Sequence, residues 1–200
     1  MADFKILGGT DPAIQSLGVM TQGLGYPLRD VEPSASGGAV NVIVERMLDA
    51  NSFVDQTPTG IGVATQISFG DAQTETAFDL EADGTLTCLV ADEYVWRAKL
   101  VVGKDSGGLA VAQIYIRTLL NGVQVGPSSQ VIIDSNRAEI PVDLEGTAFI
   151  DAGDVITFEF IRDTDGDDDG ELRAGVPDVA GWASAPSARL TIDRYLAVQP

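Results

Sequence analysis

The residues with the clearest chemical potential lie in one acidic loop, Asp163-Thr-Asp-Gly-Asp-Asp-Asp-Gly-Glu171. Within it, Asp165, Asp167 and Asp169 alternate as at the start of a calcium-binding loop, where alternate carboxylates converge on one hard cation. The twelfth position of such a loop is Val176 here, not the glutamate that would bind with both oxygens. A solvated acidic turn without an ion is the alternative. The predicted calcium ligands are Asp163, Asp165, Asp167, Asp169 and Glu171.

Side chains suited to catalysis are scarce in this sequence. The sequence contains no histidine, which removes the commonest general base, the Ser-His-Asp arrangement and the usual zinc and copper ligands. The single cysteine, Cys88, cannot form an internal disulfide, and we expect it to be a small buried residue. Carboxylate pairs serve glycosidases, but with 30 acidic residues some pair always has a suitable spacing. We therefore expect no enzymatic activity and no cofactor other than calcium.

The charge balance limits the choice of partners. There are 30 acidic and 12 basic residues, which gives a net charge of −18. Binding to nucleic acid depends on Lys and Arg that neutralise phosphates, so no nucleic-acid partner is expected. An anionic membrane surface is disfavoured in the same way, and no apolar run is long enough to cross a bilayer. Partners should be basic or should bind through apolar patches.

The elements that carry these residues show a period of two from about residue 59 onwards. The alternation is clearest between Tyr94 and Val102, where Tyr, Trp, Ala, Leu and Val occupy every second position. Asn121-Gly122 separates two such runs, and both residues accept the positive φ of a type I′ hairpin turn. The pattern predicts about nine or ten short strands. The expected fold is all-β, a two-sheet antiparallel sandwich.

The first part of the chain has a different composition. Glycine and proline recur too densely before residue 38 for a regular element, so residues 1–58 are predicted to be an extended arm and residues 59–200 the sandwich domain. Within the arm, the apolar residues of 39–48 fit a short helix and a strand equally well. Such an arm has too little apolar content to fold alone, and it would pack on its own sandwich or reach a neighbouring subunit.

Several segments resemble the jelly rolls of the tumour-necrosis-factor and complement-globular-head family. Asp92–Leu100 is similar to the central strand of that family, and Ala112–Gly122 to a strand that runs to an Asn-Gly turn. Ile150–Phe158 contains the Gly-Asp step before an alternating apolar strand, and Ala188–Tyr195 fits the last strand. The resemblance covers about residues 59–196.

This resemblance implies a ten-strand jelly roll that forms tight homotrimers. Small versions of the family look like structural proteins of tailed bacteriophage virions, in particular capsid decoration (cement) proteins. The implied partners are two further copies of the chain and the major capsid protein, and the implied location is the virion surface after assembly in the host cytoplasm. A fibre head or lectin-like receptor-binding module in the same fold is the alternative. The insertion Asp163–Ser187 is longer and more acidic than the family pattern.

Two further sets of residues are candidates for contact with partners. Val111, Tyr115 and Leu119 share the supposed outward face of the strand Ala110–Leu120. That face is too apolar for a solvated surface, so we expect it to form the seam between subunits. Trp182 lies in a loop with no evident core stripe, where it would either cover one end of the sandwich or stand exposed as an anchor for a partner.

Overall fold

The computed structural model describes residues 41–104, 111–134, 139–163 and 170–198, and every regular element in these ranges is a strand. In chain order the strands are β1 Asn41–Ser52, β2 Thr65–Gln66, β3 Ala72–Glu75, β4 Phe78–Leu80, β5 Leu86–Cys88, β6 Asp92–Lys104, β7 Ala112–Leu120, β8 Val123–Ile133, β9 Glu139–Ile150, β10 Val155–Arg162, β11 Gly170–Leu172 and β12 Ala188–Val198. No helix in the described ranges is long and apolar enough to cross a membrane.

Strand β6 is the centre of the first sheet, because both of its edges are hydrogen-bonded. β9 pairs with it antiparallel, from Asp92 opposite Ile150 to Gly103 opposite Glu139. β12 and then β11 occupy the other edge of β6, also antiparallel. Beyond β12 the sheet continues with β1 and β3. The order is therefore β9-β6-β12-β1-β3, with β11 in line with β12.

The second sheet has the order β4-β5-β10-β7-β8, and the short β2 lies beside β10. β10 and β7 pair antiparallel over seven positions, from Ile156 opposite Leu120 to Arg162 opposite Ile114. β7 and β8 are joined by Asn121 and Gly122, whose φ angles are 51° and 76°. The predicted hairpin is thus confirmed, and so is the predicted two-sheet antiparallel jelly-roll sandwich.

The core lies between the two sheets and is built from alternate residues of their strands. All five apolar residues predicted on one face of β6 are buried, with Trp96 the most exposed of them at 7%. From the second sheet, the Phe158 ring meets Phe69 edge to face, with ring centroids 5.4 Å apart. Burying each large apolar side chain contributes about 1.5–3 kcal/mol. The fully buried large side chains are Tyr94, Phe69, Phe78, Phe158, Phe160, Leu48, Ile67, Leu86, Leu100, Ile114, Ile116 and Ile133.

The structure corrects the helix that the sequence left open for residues 39–48. Over residues 41–48 that helix is wrong, because β1 runs from Asn41 to Ser52 and pairs with β3, with Leu48 opposite Glu75. Cross-strand pairing outweighs the helical spacing, since Val, Ile and Val here are β-branched residues that suit a strand. The sandwich sheet therefore includes residues before 59.

Two compact units are distinguished along the chain. Glu45–Arg194 form the sandwich unit, and Met1–Val44 with Tyr195–Pro200 form the other. Residues 1–40, which make up most of the predicted arm, lie outside the described residues. The extended arm therefore stays a prediction.

Two buried titratable groups share one acceptor next to β6. The Cys88 thiol donates to the carbonyl oxygen of Val90 at 3.0 Å, and the Tyr94 hydroxyl donates to the same oxygen at 2.6 Å. Burial is the main cause that raises the pKa of the Cys88 thiol above 9.0 and the pKa of the Tyr94 phenol above 10.0. Cys88 is thus a buried core residue, as expected, and its thiol is a poor nucleophile at neutral pH.

These shifts predict a loss of stability at alkaline pH. The folded state holds both protons more tightly than the unfolded chain, so their contribution is complete below about pH 9 and declines as the pH rises above it. In Tyr94→Phe, the free energy of unfolding at pH 7 should fall by about 1–2 kcal/mol, because the Val90 carbonyl loses a donor. Its decline between pH 9 and 11 should be shallower than in wild type. Urea unfolding across that pH range measures both quantities, and equal slopes in the two proteins would contradict the assignment.

Candidate functional site

A closed loop projects from the sandwich between β11 and β12. Two backbone hydrogen bonds join its ends, from Gly175 N to Ala185 O at 3.0 Å and from Ala185 N to Gly175 O at 2.8 Å. Inside the loop, Trp182 N donates to Val179 O at 3.4 Å. Its ends are therefore joined to each other by one antiparallel bridge. Its tip carries Val, Pro, Ala and Trp side chains together with Asp178 and Ser184.

The tip of this loop is strongly exposed. Trp182 is 76% exposed, Val176 77% and Val179 62%. Of the two arrangements left open by the sequence, Trp182 therefore does not cover an end of the sandwich. Large apolar side chains left in water in this way are typical of surfaces that meet a partner. That Trp182 contacts a partner stays a prediction.

A second exposed segment lies beside the base of the loop. Val54 O accepts a hydrogen bond from Ser187 Oγ at 2.6 Å, and Asp55 Oδ1 accepts one from Ala174 N at 2.7 Å. Phe53 and Val54, in this segment, are 52% and 63% exposed. The sequence analysis missed this pair, whose only signal is two adjacent apolar residues just after a strand. We call the exposed apolar residues of these two segments the apolar end patch: Phe53, Val54, Val176, Val179 and Trp182.

The outward-facing residues in and just before β7 form a less apolar surface than the sequence suggested. Val111 is 41% exposed, but Leu119 is only 6% exposed within a single chain and offers little surface. Tyr115 is half-buried, and its hydroxyl accepts hydrogen bonds from Gln113 Nε2 at 3.3 Å and Gln130 Nε2 at 2.8 Å. A continuous exposed stripe of Val111, Tyr115 and Leu119 is therefore not formed. Contact of Val111 and Tyr115 with another subunit stays a prediction.

The outer face of the first sheet carries a network of charges instead. Asp193 on β12 is 2% exposed and lies between two arginines, with Arg46 Nε at 2.5 Å and Arg97 Nη1 at 3.7 Å. Arg97 Nε also approaches Glu145 Oε1 at 3.4 Å, and Arg46 Nη1 approaches Asp49 Oδ2 at 3.1 Å. The network joins β1, β6, β9 and β12. Ion pairs therefore link the four strands on this face, which also carries the exposed side chain of Phe149.

The predicted calcium ligands are described only in part. Asp165, Asp167 and Asp169 lie outside the described residues. Asp163 Oδ2 accepts a hydrogen bond from Gln113 Nε2 at 3.1 Å. Glu171 is 5% exposed, and its carboxylate accepts a hydrogen bond from Thr57 Oγ1 at 2.8 Å and lies 3.4 Å from Arg173 Nε.

Glu171 would thus have to share its carboxylate with protein partners to bind a cation. In the ranges that the structure describes, no three His, Cys, Asp or Glu residues are grouped so that they could hold a metal ion. The calcium site stays a prediction.

The predicted calcium site can be tested by removing calcium. If the acidic loop binds calcium, an excess of chelator should lower the melting temperature by about 5–10 °C relative to calcium at about 100 times its dissociation constant. The double variant Asp165→Asn with Asp167→Asn is the matched control and should melt at the same temperature with and without chelator. Differential scanning calorimetry measures the effect, and an unchanged wild-type melting curve would rule the site out.

Comparison with known proteins yields matches only to solved structures, at low sequence identity. No protein-family model and no curated protein matches the chain. Among solved structures, the globular domain of the zebrafish complement 1qA protein has 9% identity and a TM-score of 0.45, and the match covers 74% of this chain and 94% of that chain. The crystal structure of pika GITRL has 13% identity and a TM-score of 0.37, with 74% and 95% covered. The function has to be argued from the residues of this chain.

Proposed function

We propose that this chain is a non-enzymatic structural protein of a tailed-phage virion, a homotrimer that decorates the capsid. The observation that carries the proposal is the apolar end patch, whose Trp182 is 76% exposed on a loop closed by two backbone hydrogen bonds. A loop whose ends are joined loses less conformational entropy on binding than an open loop does, and its exposed tryptophan can bury a large apolar area. We assign this patch to contact with the major capsid protein.

The chemistry of the remaining residues supports a non-enzymatic role. The chain has no histidine to act as a general base. Its only thiol, Cys88, is 1% exposed and is hydrogen-bonded to Val90 O, and burial raises its pKa. The net charge of −18 keeps a protein soluble at high local concentration, as many copies on one shell require.

Self-association is supported by the edge of the first sheet. β9 is a twelve-residue edge strand that pairs only with β6 among the described strands. Long edge strands expose unpaired backbone groups and are usually covered or blunted. Phe149, near the end of β9, is 63% exposed, and a subunit packed against this edge would bury it. Because Tyr115 has polar neighbours and Leu119 is already buried, we place the seam at β9 and not on the outer face of β7.

A mass measurement tests the trimer. Light scattering after size-exclusion chromatography should give about three times the chain mass of 21.0 kDa. Phe149→Glu should reduce the mass to that of one chain, because it replaces the exposed ring that the seam would bury with a charge. Val123→Glu, at a side chain that is 69% exposed beside the β7–β8 turn, is the control and should leave the trimer intact.

Two results would count against this arrangement. If the wild type were a monomer at micromolar concentration, the proposed trimer would be ruled out. Dissociation by Tyr115→Glu but not by Phe149→Glu would move the seam to the outer face of β7.

Binding to shells tests the role of the apolar end patch. The protein should co-sediment with shells assembled from the major capsid protein of the phage that encodes it. Replacing Val179 and Trp182 by serine should weaken binding at least tenfold, about 1.4 kcal/mol, while Val123→Ser should have no effect. Antibody labelling of virions should show many copies over the shell. A few copies at the tail tip would support the fibre-head alternative instead.

A further inference from the structure

A bulge in β8 interrupts the regular pairing of the second sheet. Ile116 on β7 pairs with Ser129 and Thr118 pairs with Val125, so the three residues 126–128 of β8 lie opposite Arg117 alone. Gly126 has a φ of 74°, and Pro127 has no N–H to offer to a ladder. β8 is the edge strand of this sheet, where such irregularities are tolerated and often re-aim side chains at a binding site.

The bulge borders a cavity of about 150 Å³ on the outer face of the second sheet. β7 and β10 form its floor, since Arg117 pairs with Glu159 and Tyr115 with Ile161 in the antiparallel register. Ser128, from the bulge, lines one side of it. This volume is small for a drug-sized ligand and suits a single ring.

The two charged residues of this cavity, Arg117 and Glu159, neutralise each other. Arg117 donates two hydrogen bonds to the same oxygen of Glu159, from Nε at 2.9 Å and from Nη2 at 2.7 Å. In the part of the chain that the structure describes, Glu159 Oε1 and Arg117 Nη1 have no hydrogen-bond partner. Glu159 Oε1 can therefore accept a hydrogen bond from one hydroxyl group of a ligand, and Arg117 Nη1 can donate a hydrogen bond to another. Because the two charges cancel, the cavity favours neither an anion nor a cation.

The neutral groups around this pair have free hydrogen-bonding capacity of both kinds. Gln124 Nε2 donates to Ser128 Oγ at 3.1 Å, so in the described ranges the Gln124 amide oxygen and the Ser128 hydroxyl proton remain available. The Tyr115 hydroxyl is oriented by two glutamine amides. The Tyr115 ring and Ile161 supply apolar surface beside these polar groups. The combination of apolar surface with closely spaced donors and acceptors is what the C–H and hydroxyl groups of a sugar ring require.

We propose that this cavity binds one ring of a neutral saccharide, with Glu159, Arg117 and Gln124 as the hydroxyl-binding residues. The inference does not rest on the virion role, because it depends only on the outer face of β7, β8 and β10. On a virion, such a cavity would hold a surface glycan.

Saturation-transfer NMR with methyl glycosides of glucose, galactose, mannose and N-acetylglucosamine tests the proposal. At least one glycoside should receive saturation from the protein. Glu159→Gln and Gln124→Ala should each lower its association constant at least tenfold. Gln124 is exposed, so the second variant leaves the fold intact even if the first one does not. Glu93→Gln, at an exposed residue of β6 in the other sheet, is the control and should not change binding.

Three outcomes overturn the proposal. The first is no transfer to any of the four glycosides. The second is transfer that is equal in wild type and Gln124→Ala. The third is binding that is displaced by inorganic phosphate, which would mean that Arg117 leaves Glu159 to bind an anion. The trimer mass and the binding to shells are measured separately, so failure here leaves the proposed function unaffected.

Discussion

The rest of the structure depends on the burial of one face of β6 in the core between the two sheets. β6 is hydrogen-bonded along both edges, which leaves its side chains only two directions in which to point. On its core face the Tyr94 ring meets Phe78 of β4, with ring centroids 4.8 Å apart, and Phe158 and Phe160 of β10 belong to the same buried core. A one-residue shift in register would expose that entire face, so the apolar alternation fixes the pairing of both sheets.

A close approach between β6 and β9 reinforces this register. Gly146 of β9 lies opposite Trp96, and a Cβ atom added at Gly146 would overlap the indole ring. The tryptophan can therefore fill the core at this point only because its neighbour has no side chain. Together with the charge network around Asp193 on the opposite face, this packing makes the first sheet a fixed platform. Such a platform can carry irregular segments that serve other purposes.

The candidate sites lie where the regular pairing stops. Val176, Val179 and Trp182 of the apolar end patch belong to a loop that pairs only at its base. The cavity beside Arg117 adjoins three residues of β8 that have one residue opposite them. In both places the backbone is anchored by hydrogen bonds on either side. The exposed groups are therefore oriented without contributing to the core. This separation would allow one sandwich to combine the three proposed roles, which are self-association, binding to a shell and recognition of a small ligand.

The sequence by itself determined the class of fold, the core faces of β6 and β10, and the turn at Asn121-Gly122. These features are local, because a period of two and a positive φ are properties of a few neighbouring residues. Only the tertiary structure decided that residues 41–48 form a strand, that Leu119 is buried, that Trp182 is exposed and that Arg117 meets Glu159. Each of these depends on which strand lies alongside and on where a bulge interrupts the pairing, and those contacts join residues far apart in the chain.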